Sequence, residues 1–162
     1  MVEYGFYHLT RTALEPALGR LLERVLASGQ RAVVVASSAE RVEALNRALW
    51  TFGRESFLPH GSREDGFAED QPVFLTDRAD YPNGATVLVL VDGAEVEPPP
   101  PFTRCVYMFD GNDEAAVAQA RALWRKCQER GAALTYWQQT ERGWHKAMAT
   151  TDTAPAAAPD AE

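Results

Sequence analysis

The chain has 162 residues, enough for one domain with a sizeable core. Hydrophobic residues make up 46% and charged residues 24%, which describes an ordinary globular protein rather than a fibre or a membrane span. A formal net charge of −7 argues against strong direct binding of nucleic acid through an overall basic surface, and part of that charge sits in Asp152, Asp160 and Glu162 near the end.

The first predicted strand is the aromatic run Val2 to Leu9, with Tyr4, Phe6 and Tyr7. A helix is expected to begin at Glu15 with Pro16 at N1, where a missing N–H costs nothing. Leu18, Leu21, Leu22, Val25 and Leu26 give it a 3.6-residue period and Gly29 closes it. Ala32 to Ala36 is a continuous apolar run of the kind found in buried parallel strands, completing a β-α-β unit. Ser37-Ser38-Ala39-Glu40 then reads as a capping box, with Ser37 and Glu40 satisfying orphan backbone N–H groups. Val42, Leu45 and Leu49 form one apolar stripe of the helix that follows. Trp50 falls just off this stripe, and Gly53 suits the C′ position. The next segment places Phe57, Leu58, Pro59 and His60 together. An aromatic helix end facing an aromatic-proline loop is either a local packed cluster or a surface made for a partner.

Residues 61–71 read as a loop, Pro72 to Leu75 as a short strand at or near an edge, and Tyr81-Pro82-Asn83-Gly84 as a turn. Thr86 to Val91 is a second deeply buried strand. The four prolines from Pro98 to Pro101 predict a stiff, extended connection. Arg104 to Phe109 is another strand, a long helix runs from Asp113 to about Arg130, and Leu134 to Gln138 is the last strand. Beyond Ala147 the composition turns to Thr, Ala, Pro and Asp. The domain is therefore placed at residues 1–149, and 150–162 is expected to be a disordered tail. Alternating strands and helices imply a single three-layer α/β domain, Rossmann-like, with a mostly parallel sheet and helices on both faces.

Such a sheet invites a search for catalytic or nucleotide-binding motifs. There is no Walker-type glycine-rich loop, no dinucleotide fingerprint and no nucleophile elbow. His8, His60 and His145 are scattered, and Cys105 and Cys127 have neither metal-ligand spacing nor a disulfide framework. No catalytic set, metal or cofactor is expected, and a reduced cytoplasmic setting without a membrane segment is. The long helix is more informative. Ala116, Ala120, Leu123 and Cys127 read as its core stripe, with Arg121, Trp124, Arg125 and Gln128 on an adjoining face. Two guanidinium groups flanking an aromatic suit a short acidic and apolar peptide, while the bland alternative is a solvated face with one boundary tryptophan.

Phe6-Tyr7-His8-Leu9, Ala48-Leu49-Trp50, Glu55-Ser56-Phe57-Leu58-Pro59-His60, the Val87-Leu88-Val89 strand, Phe109 and the helix end from Arg121 to Gly131 form a set of motifs. Through them the chain, over residues 4–147, resembles the chi subunit family of bacterial DNA polymerase III. The resemblance implies a non-catalytic adaptor without nucleotide binding. Its expected partners are the acidic, Phe-ending C-terminal tail of single-stranded DNA-binding protein and the psi subunit or another clamp-loader component. Carried over by position, the tail site is Arg121, Trp124 and Arg125, and the partner-subunit site is Trp50, Phe57, Pro59 and His60. At Val117 family members can have a lysine, so this chain is expected to offer one fewer positive charge to the tail. The alternative is a small α/β nucleotide-binding protein or enzyme whose site the motif search does not recognise.

Overall fold

A computed structural model describes residues 2–52 and 57–149. The chain order is β1 (Glu3–Leu9), α1 (Leu14–Ala27), β2 (Ala32–Val35), α2 (Ala39–Thr51), β3 (His60–Ser62), two short 3-10 turns, and β4 (Val73–Thr76). It continues with β5 (Val87–Leu90), β6 (Arg104–Asp110), α3 (Glu114–Glu129), β7 (Ala133–Thr140) and β8 (Gly143–Ala149). The strands form one sheet in the order β3-β4-β2-β5-β6-β1-β7-β8. Every neighbouring pair is parallel except β7 with β8.

The apolar runs lie where both faces of the sheet are covered. On one face, Leu18, Leu22 and Val25 of α1 and Leu45 and Leu49 of α2 pack on Val34, Val89, Val106 and Met108. On the other, Val117, Ala120, Leu123 and Cys127 of α3 pack on Phe6, Leu88, Cys105 and Tyr107. This is the expected three-layer α/β arrangement. The cysteines are free and buried, and burial pushes the Cys105 thiol up to about 12. No described helix is long and apolar enough to cross a membrane.

Several local expectations shift. The cap of α2 is Ser38, whose hydroxyl accepts from the Arg41 N–H, rather than Ser37. Helix α1 is capped at Ala13 rather than Glu15, two residues early, so Pro16 moves from N1 to N3 but stays within the first turn, where its absent N–H is still not needed. The β1-α1-β2 unit is not a pairing of neighbours, because β5 and β6 lie between its strands. The proline run turns rather than extends: the Phe102 N–H donates to the Pro99 carbonyl, and Phe102 packs edge-on against Tyr81.

Two strands were hidden in polar sequence. His60-Gly61-Ser62 forms β3 because it pairs with β4 and is roofed by Gln71, whose side chain lies where a Cβ on Gly61 would stand. Strand β8 returns along β7 through a turn in which the Thr140 hydroxyl donates to the Gly143 carbonyl. Its last residue, Ala149, is buried, so the folded part runs two residues past Ala147. The tail expected at 150–162 and the cap expected at Gly53 lie outside the described residues.

Candidate partner-binding surfaces

The first surface grows out of the end of α2. Its buried side, Val42, Leu45, Asn46 and Leu49, faces the sheet, which turns the next residue, Trp50, outward. Trp50 is 51% exposed and Phe57 is 73% exposed, with ring centroids 5.9 Å apart. Leu58, fully buried beside Phe57, pins the segment to the core.

His60 supports this pair from below rather than joining its outer surface. It is buried, and its ring lies 4.5 Å from that of Trp50. Its Nδ1 faces the Leu58 carbonyl at 2.6 Å and its Nε2 faces the Asn46 carbonyl at 2.9 Å. The imidazole thus bridges the helix to the segment that carries Phe57, and Pro59 is half-buried between them in sequence. Asn46 also donates its side-chain amide to Asp65 at 2.7 Å, and the Ser62 N–H reaches the same oxygen at 2.8 Å. The Ser62 N–H foremost, then the Asn46 amide, hold the Asp65 carboxyl below its ordinary range. Such contacts beneath an exposed aromatic pair restrict its freedom, which lowers the ordering cost of binding a partner.

The second surface is α3, capped by Asp113, whose carboxylate accepts from the N–H groups of Ala115 and Ala116. Here the expected face needs correction. Trp124 is only 1% exposed and belongs to the core, set edge-on to Phe6 at 5.2 Å and to Tyr136 at 5.7 Å. The buried side of α3 is Val117, Ala120, Leu123, Trp124 and Cys127, so Ala120, Leu123 and Cys127 of the expected stripe do face the sheet, while Val117 and Trp124 join them and Ala116 is only half-buried. Val117 is likewise buried, so its side chain packs the core at the position where a lysine would add charge.

Arg121 and Arg125 remain at the surface, one turn apart, the first half-buried and the second exposed. Arg121 lies close enough to buried His8 to add to burial, the larger cause, in lowering that imidazole's pKa. His8 Nδ1 meets the Tyr136 hydroxyl at 2.6 Å, and burial pushes that hydroxyl up to about 12. Gly111 is required beside this cluster, because a Cβ there would stand 2.0 Å from the His8 ring. His8 and Tyr136 were not singled out as a pair from sequence, since their contact spans 128 residues.

The carboxyl ends of the strands, where doubly wound sheets hold nucleotides, form a hollow of about 730 Å³. Its chemistry suits phosphate poorly. Glu15, Asp92, Asp110 and Asp113 line it against two arginines, of which Arg11 pairs with Glu141 at 3.3 Å. Arg41 is held by both Asp92 oxygens, at 2.8 and 3.1 Å. The N–H groups of Thr10, Arg11 and Thr12, the loop amides best placed to cradle an anion, all donate to the Gln139 side-chain oxygen at 2.9–3.1 Å. Among the described residues no group of three or more His, Cys, Asp or Glu could hold a metal ion.

A curated relative described as "Probable DNA polymerase III subunit chi", from Rickettsia prowazekii (strain Madrid E), is 33% identical over 96 residues. That match covers 59% of this chain and 58% of the relative. A chain in the crystal structure of E. coli DEAD-box protein SrmB bound to regulator of ribonuclease activity A aligns over 76% of this chain and 86% of its own length. Its 12% identity and TM-score of 0.43 leave it without weight for fold or function. The family model described as DNA polymerase III chi subunit, HolC, matches residues 1–135, most of the chain and both surfaces, and the chain belongs to that family.

Proposed function

We propose that the chain is a non-catalytic accessory subunit of the replicative DNA polymerase III holoenzyme, working in the cytoplasm. In this reading it links the clamp-loader complex to single-stranded DNA-binding protein by holding that protein's acidic C-terminal tail. The observation that carries the adaptor role is the Trp50–Phe57 pair, two large aromatics left in solvent on a rigid, hydrogen-bonded base. Large exposed apolar side chains that adjoin one another mark contact sites more often than accidents of packing. The psi subunit, or another clamp-loader component, is the partner assigned to that pair.

Arg121 and Arg125 are assigned to the acidic tail. Trp124 serves that face indirectly, as the buried wedge that sets the pitch of α3 on the sheet. The nucleotide-binding alternative is disfavoured by the acidic lining at the strand ends and by the loop amides already bonded to Gln139. Isothermal titration with a synthetic acidic peptide ending in Phe tests the tail assignment. Arg121→Ala is expected to cost about 2 kcal/mol, roughly thirtyfold in affinity. Arg125→Ala, at an exposed site where folding is not at risk, should also weaken binding, and both losses should shrink as salt rises. Equal affinity of the wild type and both variants at low salt would remove this face as the tail site.

A further inference from the structure

The sheet face that carries α1 and α2 is not covered as far as β7 and β8, and an aromatic corner lies in the uncovered part. Tyr7 on β1 and Trp137 on β7 are register partners, their rings nearly parallel at 14° with centroids 6.0 Å apart. Trp144 on β8 meets Tyr7 edge-on at 80° and 5.0 Å, so it stands as a wall beside that floor. Both tryptophans are only partly buried, whereas Tyr7, on which they pack, is itself buried in the core. They line a hollow of about 340 Å³ whose charged lining is Arg24 of α1 and Arg104 of β6, with no carboxylate among its described lining residues. Lys146 lies opposite Trp137 in the ladder and so leaves the sheet on the same face. Glu3, at the start of β1, shares the face by strand alternation but does not line the hollow.

Each cation has a structural use of its own. Arg104 donates to the Tyr7 hydroxyl at 2.9 Å, and Arg24 sits in the last turn of α1, where a positive charge complements the helix dipole. Neither use is exhaustive, because a guanidinium has five N–H donors. Flat rings on adjacent strands, flanked by arginines, are how sheet surfaces hold unpaired bases, the rings taking the base and the cations the phosphates. We infer that the partly exposed rings of Trp137 and Trp144, seated on buried Tyr7, form with Arg24 and Arg104 a binding site for single-stranded nucleic acid. It is a local basic patch on an acidic protein, so its affinity is modest and its salt dependence shallow. The site lies across the sheet from Arg121 and Arg125 and does not depend on the tail assignment.

The test titrates the full chain with a short oligothymidylate at low salt, following tryptophan fluorescence. Saturable quenching is expected, with the logarithm of affinity falling against the logarithm of salt at a slope of about −1.4 for two neutralised phosphates. Trp144→Leu should weaken binding about tenfold or more through loss of stacking, and Arg24→Ala should weaken it and flatten the salt slope. Arg24 is exposed, so that variant reports even where Trp144→Leu lowers stability. Trp50→Ala, on the other surface, should bind like the wild type. Absence of saturable binding would overturn the proposal, as would undiminished binding by Arg24→Ala and Trp144→Leu. Equal binding of an abasic oligomer or of polyglutamate would overturn it too, by showing attraction to charge without stacking.

Discussion

Trp50 and Trp124 make an instructive pair. Each lies in an amphipathic helix packed on the same sheet, and each was read from sequence as a surface aromatic bordering a core stripe. Trp50 is half in solvent, tilted against His60 and beside Phe57. Trp124 is sealed between Phe6 and Tyr136. On α2 the apolar stripe is made of large residues, Val42, Leu45 and Leu49, and these fix which side faces inward. On α3 the expected stripe is half alanine, with only Leu123 large, so the largest apolar side chain decides the rotation instead. Burying a tryptophan outweighs keeping Ala116 at the centre of the contact.

The sharpest way to break this comparison is to truncate both. Trp124→Ala should destabilise the protein by about 3–5 kcal/mol, the usual cost of emptying a buried aromatic site, in a urea or thermal melt. Trp50→Ala should cost about 1 kcal/mol or less, since half of its surface is already in water, yet abolish capture of the holoenzyme partner in a pull-down. Similar melting losses for the two would mean that Trp50 is a core residue too.

A smaller effect is expected at the base of the exposed pair. His60→Ala leaves the Leu58 and Asn46 carbonyls without the imidazole, and should cost about 1–3 kcal/mol in a denaturant melt. Partner binding should fall further than that lost stability accounts for, because Trp50 and Phe57 lose their common support. A variant that melts early but binds normally would separate the base from the surface.

The smallest effect is a pH dependence. The folded-state pKa of Asp65 is depressed, so its carboxylate contributes stability that is fully present above the ordinary carboxylate range and is lost as pH falls through the lower folded value. Asp65→Asn should therefore have a lower urea midpoint than the wild type near neutral pH, and the gap should close in acid. A gap independent of pH would mean that Asp65 acts through shape alone. The rings that Trp124 meets, Phe6 and Tyr136, carry no charge at neutral pH.

The strand and helix periodicities were legible wherever local sequence alone decided the outcome. Ala32 to Ala36, Thr86 to Val91 and Arg104 to Phe109 are β-branched and apolar enough to be strands anywhere, and the leucine period of α1 admits one reading. The Trp50–His60 segment was also legible as a group, because Phe57, Leu58 and Pro59 crowd a stretch too short to bury them all. The separate roles within it were not. Whether His60 shows its ring to solvent depends on the Asn46 carbonyl, 14 residues away in a helix.

What sequence by itself determined is the class of the protein: one α/β domain with buried parallel strands, helices on both faces, no recognisable catalytic motif, and an aromatic cluster after α2. What only the tertiary structure decided is which side chains that architecture leaves outside. Strand order sets two intervening strands between β1 and β2, non-local pairing makes strands of polar β3 and β8, and the fit of one helix on the sheet takes Trp124 inside. Periodicity fixes the angle between residues on a helix to within a residue or so. It does not fix the helix's rotation against its neighbours, which is settled by the largest side chain that packing can bury.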